Sequence, residues 1–175
     1  SLSIMQKHIL SKSTFMHGVQ CKKRLYLHKN GRKFGIQKDE LTEQQKAIFS
    51  SGTNVGELAQ NLFPGGIDCS PKSFFDFRPS VKQTAELVDK QHPVIYEATF
   101  QFEQVLVMMD ILVLKDDGWH AYEVKSTNST KPAHIKDAAL QYWVMTHAGI
   151  DIQTVNVLHF NREYVRDGDI NIEQL

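Results

Sequence analysis

Glu123 and Lys125 stand two residues apart in WHAYEVKSTNS, residues 119–129, a segment that otherwise alternates as a strand does. Side chains two apart on a strand point to one face, so a carboxylate and an ammonium are presented together. Upstream, VLVMMDILVL carries a single acid, Asp110, in an otherwise apolar run. An ionised Asp buried there without a partner would cost several kcal/mol, so the run requires one. If segments 105–115 and 118–126 pair through the Asp116-Asp117-Gly118 turn, Asp110 lies beside Glu123 and Lys125. Two carboxylates and one ammonium suit a hard divalent cation held by two acids plus water. The lysine would then orient or deprotonate an attacking water and steady a phosphorane-like charge. Two plainer readings compete: a solvated pair on a strand face, and a buried ion-pair network that serves stability alone.

These residues need a sheet. From residue 94 the hydrophobic period is two: VIYEATFQFE alternates, VLVMMDILVLK is nearly continuous, and WHAYEVKS alternates again. Short turn signals separate them, so the spacing predicts a three-stranded antiparallel meander. In a regular second strand Met108, Asp110 and Leu112 share one face, and Val107, Met109 and Ile111 the other. HIKDAALQYWVMTHAG is predicted as a helix, with Ile135, Ala138, Ala139, Tyr142, Val144 and Met145 available to bury and Gly149 as its stop. TVNVLHF adds a strand.

The first ninety residues have helical periods. SKSTFMHGVQCKKRLYLHKN reads as one amphipathic basic helix capped by Ser11 or Ser13. TEQQKAIFSSGTNVGELAQNLFPGG reads as a second, with Gly52 and Gly56 marking a kink or a close approach, and SVKQTAELVDKQ as a third, capped by Ser80. The expected architecture is α/β, a central sheet flanked by helices, in a single domain over residues 1–175.

At 175 residues, 41% hydrophobic and 23% charged, the composition is that of an ordinary globular chain. No run approaches the roughly 18 apolar residues of a membrane span, and no signal peptide precedes the first helix, so a cytoplasmic protein is expected. Leu175 carries no terminating signal, and SLSI precedes Met5, which leaves either end open to extension. Net charge is zero, but nine of the 20 Lys and Arg and none of the 20 Asp and Glu fall in residues 1–38, leaving 11 bases against 20 acids, or −9, elsewhere. That basic arm is a candidate phosphate-contacting surface, with a solvated face that binds nothing as the alternative. Phe74, Phe75 and Phe77 are candidates for stacking on bases or, more simply, for the core. Cys21 and Cys69 form no CxxC pair and read as reduced thiols.

Asp110, the Glu123-Val124-Lys125 triplet and Gln141 on the following helix resemble the motifs of PD-(D/E)XK nucleases. The likeness is to the RecB-like branch that includes the CRISPR-associated adaptation nucleases. SKSTFMHGVQCKKRLYL is similar to the opening of that branch, and the resemblance spans residues 11–165. It implies a restriction-endonuclease-like core and a Mg²⁺- or Mn²⁺-dependent deoxyribonuclease, exo- or endonucleolytic, serving DNA repair, recombination or defence. On this likeness Asp110 and Glu123 are metal ligands with the Val124 carbonyl as a third contact, and Lys125 is the catalytic lysine. Gln141 supports the site or touches DNA. Glu97 is an outer-shell group, with a surface salt bridge as the equal alternative, and Tyr142 beside Gln141 is a second outer-shell position. Lys12, Lys22, Lys23 and Arg24 contact single-stranded or duplex-end DNA.

Three departures accompany the likeness. Gly56 stands where a metal-binding His is expected, and Met145 where a Tyr is expected. Cys21 matches one ligand of an iron–sulfur cluster, but three further Cys are lacking, so a cluster requires a longer chain that supplies them. The alternative function, favoured by Gly56, is a catalytically weak or inactive nucleic-acid-binding module on the same fold.

Overall fold

The computed structural model describes residues 9–36, 40–73, 75–161, 163–165, 167 and 169–175, with the side chains of 48, 49 and 51–53 outside that description. In chain order the elements are β1 (Leu10–Ser11), α1 (Lys12–Gln20), α2 (Lys22–Asn30), a 3₁₀ turn (Gly31–Phe34), α3 (Glu43–Gln60), β2 (Ile67–Asp68), α4 (Arg78–Asp89), β3 (Val94–Phe102), β4 (Val105–Lys115), β5 (Gly118–Lys125), α5 (Pro132–His147) and β6 (Ile152–His159). The fold is α/β: a mixed six-stranded sheet, ordered β2-β3-β4-β5-β6 with β1 against β4, flanked by helices.

The meander forms as its periodicity predicts, β3 and β5 both running antiparallel to β4. The other pairings are parallel: β6 on β5, β2 on β3 and β1 on β4. One edge of β4 is shared by two strands. β1 occupies Val105 and Leu106, and the β5 ladder starts at Ile111. A fork therefore opens on β4 between residues 106 and 111, and Asp110 stands at its inner end.

The two faces of the sheet bury separate cores. On one, Leu140, Val144 and Met145 of α5 pack with Ile95, Ala98, Phe100, Val107, Met109, Leu112 and Ala121, and Leu87 and Val88 of α4 join them. On the other, Ala59 of α3 meets Val94 and Ile111, with Phe63, Tyr96, Tyr122 and Val124 against them. Each fully buried Leu, Ile, Met or Phe contributes about 1.5–3 kcal/mol. Tyr96 secures the C-terminal end of α3: its hydroxyl donates to the Phe63 carbonyl at 2.6 Å and accepts the Gly66 N–H at 3.2 Å. A Cβ on Gly66 would lie 2.4 Å from the Tyr96 ring, so only glycine fits there.

Several expectations are corrected. The first helix is two, because Cys21 is extended (φ −163°, ψ 120°) and divides α1 from α2. Ser11 caps α1, its Oγ accepting the Thr14 N–H at 3.3 Å. α4 starts two residues before Ser80, with Pro79 in its first turn, and Ser80 is buried within it. α3 runs unbroken through Gly56. On α5 the buried stripe is Leu140, Gln141, Val144 and Met145, whereas Ile135 (62% exposed) and Tyr142 (46%) face outward. Phe77 is buried and Phe75 exposed, while Phe74 lies outside the described residues. Among the described residues no helix is long and apolar enough to cross a membrane.

The alternation of β4 also departs from the regular pattern. Val107, Met109 and Leu112 share the α4/α5 core, and Ile111 the opposite one, so the parity changes at Asp110. β3 changes at the facing position. Ile95 and Ala98 share one core and Tyr96 the other, and between them Glu97 adopts a left-handed φ of 50°. Left-handed backbone at a non-glycine residue costs roughly 1 kcal/mol or more and persists only where surrounding packing enforces it.

Candidate active site

The paired irregularity in β3 and β4 turns Asp110 out of the face-to-face alternation and toward β5. Its Oδ2 accepts the backbone N–H of Val124 at 2.6 Å, just beyond the Ile111–Tyr122 rung that ends the β4–β5 ladder. A strand residue directs its N–H and C=O to the same side, so the Val124 carbonyl also faces the Asp110 edge. Glu123 and Lys125 keep the regular alternation of β5 and face α5.

Glu123 is buried and every oxygen is engaged. Oε1 accepts the Lys125 Nζ at 2.8 Å and also the Lys12 Nζ, and Oε2 accepts Gln141 Nε2 at 2.6 Å. Gln141 is fully buried, and its Oε1 has no hydrogen-bond partner among the described residues. Asp137, one helical turn before Gln141, completes the cluster: its Oδ2 lies 3.5 Å from Lys125 Nζ and 3.8 Å from Lys12 Nζ. Four segments far apart in sequence thus meet: the start of α1, the bend in β4, the end of β5 and the inner face of α5.

The electrostatics follow from four acids and two amines in a largely buried place. Burial, reinforced by Asp110, Asp68 and Glu123, pushes Glu97 up to about 7. Burial and the neighbouring Glu123 carboxylate raise Asp110 to about 6, against the opposing hydrogen bond from Val124. Burial works against Glu123 too, but Lys12 and Lys125 overcome it and hold that carboxyl below its usual range. Lys125 in turn is raised, because the attraction of Glu123 outweighs the cost of burying its charge. Counted over Asp110, Glu123 and Asp137 against Lys12 and Lys125, the cluster carries a formal charge of −1 when Glu97 holds its proton and −2 when it does not.

That deficit bears on a metal. Among the described residues no three His, Cys, Asp or Glu side chains form a set that could hold a metal ion. The donors that exist are nevertheless all oxygens: the two carboxylates of Asp110 and Glu123 and the backbone carbonyl of Val124. The excess of negative charge favours a cation, and the buried Gln141 Oε1 still wants a donor, such as a metal-bound water. Hard-cation chemistry fits this set. Its obstacle is that protein groups already occupy both oxygens of Glu123, Lys12 and Lys125 at Oε1 and Gln141 at Oε2.

Of the residues singled out in the sequence, Asp110, Glu123, Val124, Lys125 and Gln141 come together, with Glu97 on β3 at the position facing Asp110. Tyr142 is turned about 100° around α5 from Gln141 and is exposed, outside the cluster. Lys12 corrects its expected role: instead of reaching outward, it ion-pairs with Glu123. Lys22, Lys23 and Arg24 are exposed along α2, and Cys21 is exposed at the α1–α2 break, while Cys69 is fully buried in the α4/α5 core. Gly56 is open: among the described residues, no atom outside its chain neighbours and the adjoining turns of its own helix backbone lies within 4 Å of where a Cβ would stand. His134 caps α5 by accepting the Lys131 N–H at 3.2 Å. Asp137 was missed in the sequence although its spacing to Gln141 puts both on one helix face, and Lys12 was placed in the wrong company.

Comparison of the chain with protein-family models, with curated proteins and with solved structures returns no match.

Proposed function

We propose that this protein is a metal-dependent nuclease that hydrolyses DNA phosphodiester bonds on a restriction-endonuclease-like core. The observation that carries the reading is the convergence of Asp110, Glu123 and Lys125 at the fork between β4 and β5, with Gln141 buried against Glu123. Asp110, Glu123 and the Val124 carbonyl would hold Mg²⁺ or Mn²⁺. When bound, such a cation lowers the pKa of a coordinated water and neutralises charge on the phosphate.

The chain's own residues do the rest. Lys125 is held protonated by Glu123, so it serves as a fixed positive charge beside the phosphoryl oxygens and orients the water rather than deprotonating it. The Val124 N–H fixes Oδ2 of Asp110, and among the described residues no group hydrogen-bonds its other oxygen. Gln141 anchors Glu123 through Nε2 and offers Oε1 to a water proton. The exposed bases of α2, with no acid in residues 9–36, supply a surface for backbone phosphates.

One observation favours a second reading, a nucleic-acid-binding module without turnover: both oxygens of Glu123 are already engaged by protein groups. Incubating labelled single- and double-stranded DNA with and without Mn²⁺, for wild type and Lys125→Ala, separates the two. Cleavage that needs Mn²⁺ and is lost in the variant supports the nuclease. Retained DNA binding with no cleavage by either chain supports the binding module.

A further inference from the structure

Lys12 is surplus to the needs of Glu123. Lys125 already neutralises that carboxylate and Gln141 satisfies its second oxygen, yet a second ammonium is aimed at the same Oε1. The placement is built. β1 pairs with Val105 and Leu106 on the edge of β4, the Ser11 cap starts α1 immediately afterward, and Lys12 is the first residue into the fork that ends at Asp110. Its backbone is fixed by both contacts, while its four-carbon stem is free to swing and its side chain remains 22% exposed. Asp137 Oδ2, at 3.8 Å, is the next acceptor within reach.

We propose that Lys12 is a tethered monovalent stand-in for the divalent cation at Glu123, displaced toward Asp137 when metal enters and thereby released to meet a phosphate. The inference rests on the nuclease reading and adds a residue to it. Two positive charges cannot share one carboxylate oxygen with a divalent ion without strong repulsion, so either the ammonium leaves or the metal is excluded. Asp137 gives the departing ammonium a carboxylate, which keeps the displacement from stranding a charge in a partly buried place. Without metal the same ammonium offsets part of the negative charge of the acidic cluster.

The test is isothermal titration with Mn²⁺ alone on wild type, Lys12→Met, Lys12→Arg and Asp137→Asn, with no nucleic acid present. Removing the competing charge is expected to tighten Mn²⁺ binding about tenfold in Lys12→Met. Lys12→Arg, which grips a carboxylate more firmly, is expected to bind Mn²⁺ no better than wild type. Asp137→Asn, which removes the alternative acceptor, is expected to weaken it. A merely structural Lys12 predicts weaker or unchanged binding in Lys12→Met, and that result overturns the proposal. If Lys12→Met folds only when Mn²⁺ is added, as followed by circular dichroism, metal is replacing the ammonium as counter-charge, which supports it. A variant that stays unfolded in Mn²⁺, and a Lys12→Gln variant that does the same, would overturn it. Equal Mn²⁺ binding by wild type and Lys12→Met removes this inference alone, whereas no binding by either removes the nuclease reading with it.

Discussion

The carboxylate of Asp110 accepts the backbone N–H of Val124 at 2.6 Å, so a side chain on β4 does what a main-chain carbonyl does elsewhere along the ladder. The substitution of side chain for backbone lets the two strands part while their edges remain satisfied. Everything at the site depends on that parting. Asp110→Asn keeps the shape but removes the charge, and an amide turned with its oxygen toward Val124 can still accept the N–H. We expect the variant to lose on the order of 100-fold or more of Mn²⁺-dependent cleavage. Because burial disfavours the ionised aspartate, thermal stability at pH 8 should be equal to or above that of wild type. A variant that cleaves as well as wild type would remove Asp110 from the chemistry.

Glu97 sets a pH dependence of stability. In the folded chain its carboxyl is raised from an ordinary 4.5 to about 7, chiefly by burial. The native state therefore holds this proton more tightly than the unfolded state does. Stability falls as pH rises between those two values and stays lowered above them. Glu97→Gln removes the dependence. Relative to wild type it should gain up to about 3 kcal/mol at pH 8 and nothing at pH 4, read from urea unfolding at both. An equal gain at both pH values would mean that side-chain shape, and not proton binding, is responsible.

Gln141 is the reverse case, a buried group that stabilises. Gln141→Ala leaves Oε2 of Glu123 without its donor and opens a cavity against β5. The loss should be about 3–5 kcal/mol by urea unfolding, with cleavage impaired in whatever fraction folds. A loss below 1 kcal/mol would show that water replaces the amide at no cost.

Gly56 invites addition. Among the described residues nothing beyond its own helix and chain neighbours crowds its missing Cβ, and its φ is not left-handed, so Gly56→Ala should stabilise α3 by about 1 kcal/mol, measured as a higher urea midpoint at unchanged slope. On the likeness that expects a histidine there, Gly56→His should also tighten Mn²⁺ binding. Unchanged Mn²⁺ affinity in Gly56→His would show that this position of α3 does not reach the site.

The basic face of α2 should be visible in salt dependence. Each of Lys22→Ala, Lys23→Ala and Arg24→Ala that removes a phosphate contact should lower the slope of log binding constant against log salt by about 1, for any DNA sequence. If the triple variant keeps the wild-type slope, α2 does not touch the nucleic acid.

Much of this was legible in the residues. The meander declared itself by period two and short turns, and the two-residue spacing of Glu123 and Lys125 puts both on one face of β5 as expected. What escaped reading has physical causes. Cys21 divides α1 from α2 without a Gly or Pro to mark it. The parity change at Glu97 and Asp110 leaves no compositional trace, since both strands change together and their pairing register is preserved. α5 hid its inner face because a buried glutamine occupies it while Ile135 and Tyr142 lie outside. Lys12 joins the site only through a two-residue strand, too short to show any periodicity.

That short strand has a temporal consequence. Leu10 and Ser11 must find Val105 and Leu106, and Lys12 must cross 111 positions to Glu123, so the site is among the contacts with the greatest loop to close. A chain still emerging, or one partly unravelled at its front end, therefore carries the acids of β4 and β5 without their third wall. On the nuclease reading proposed above, the contact of Lys12 with the site would form late in maturation and be lost early under stress.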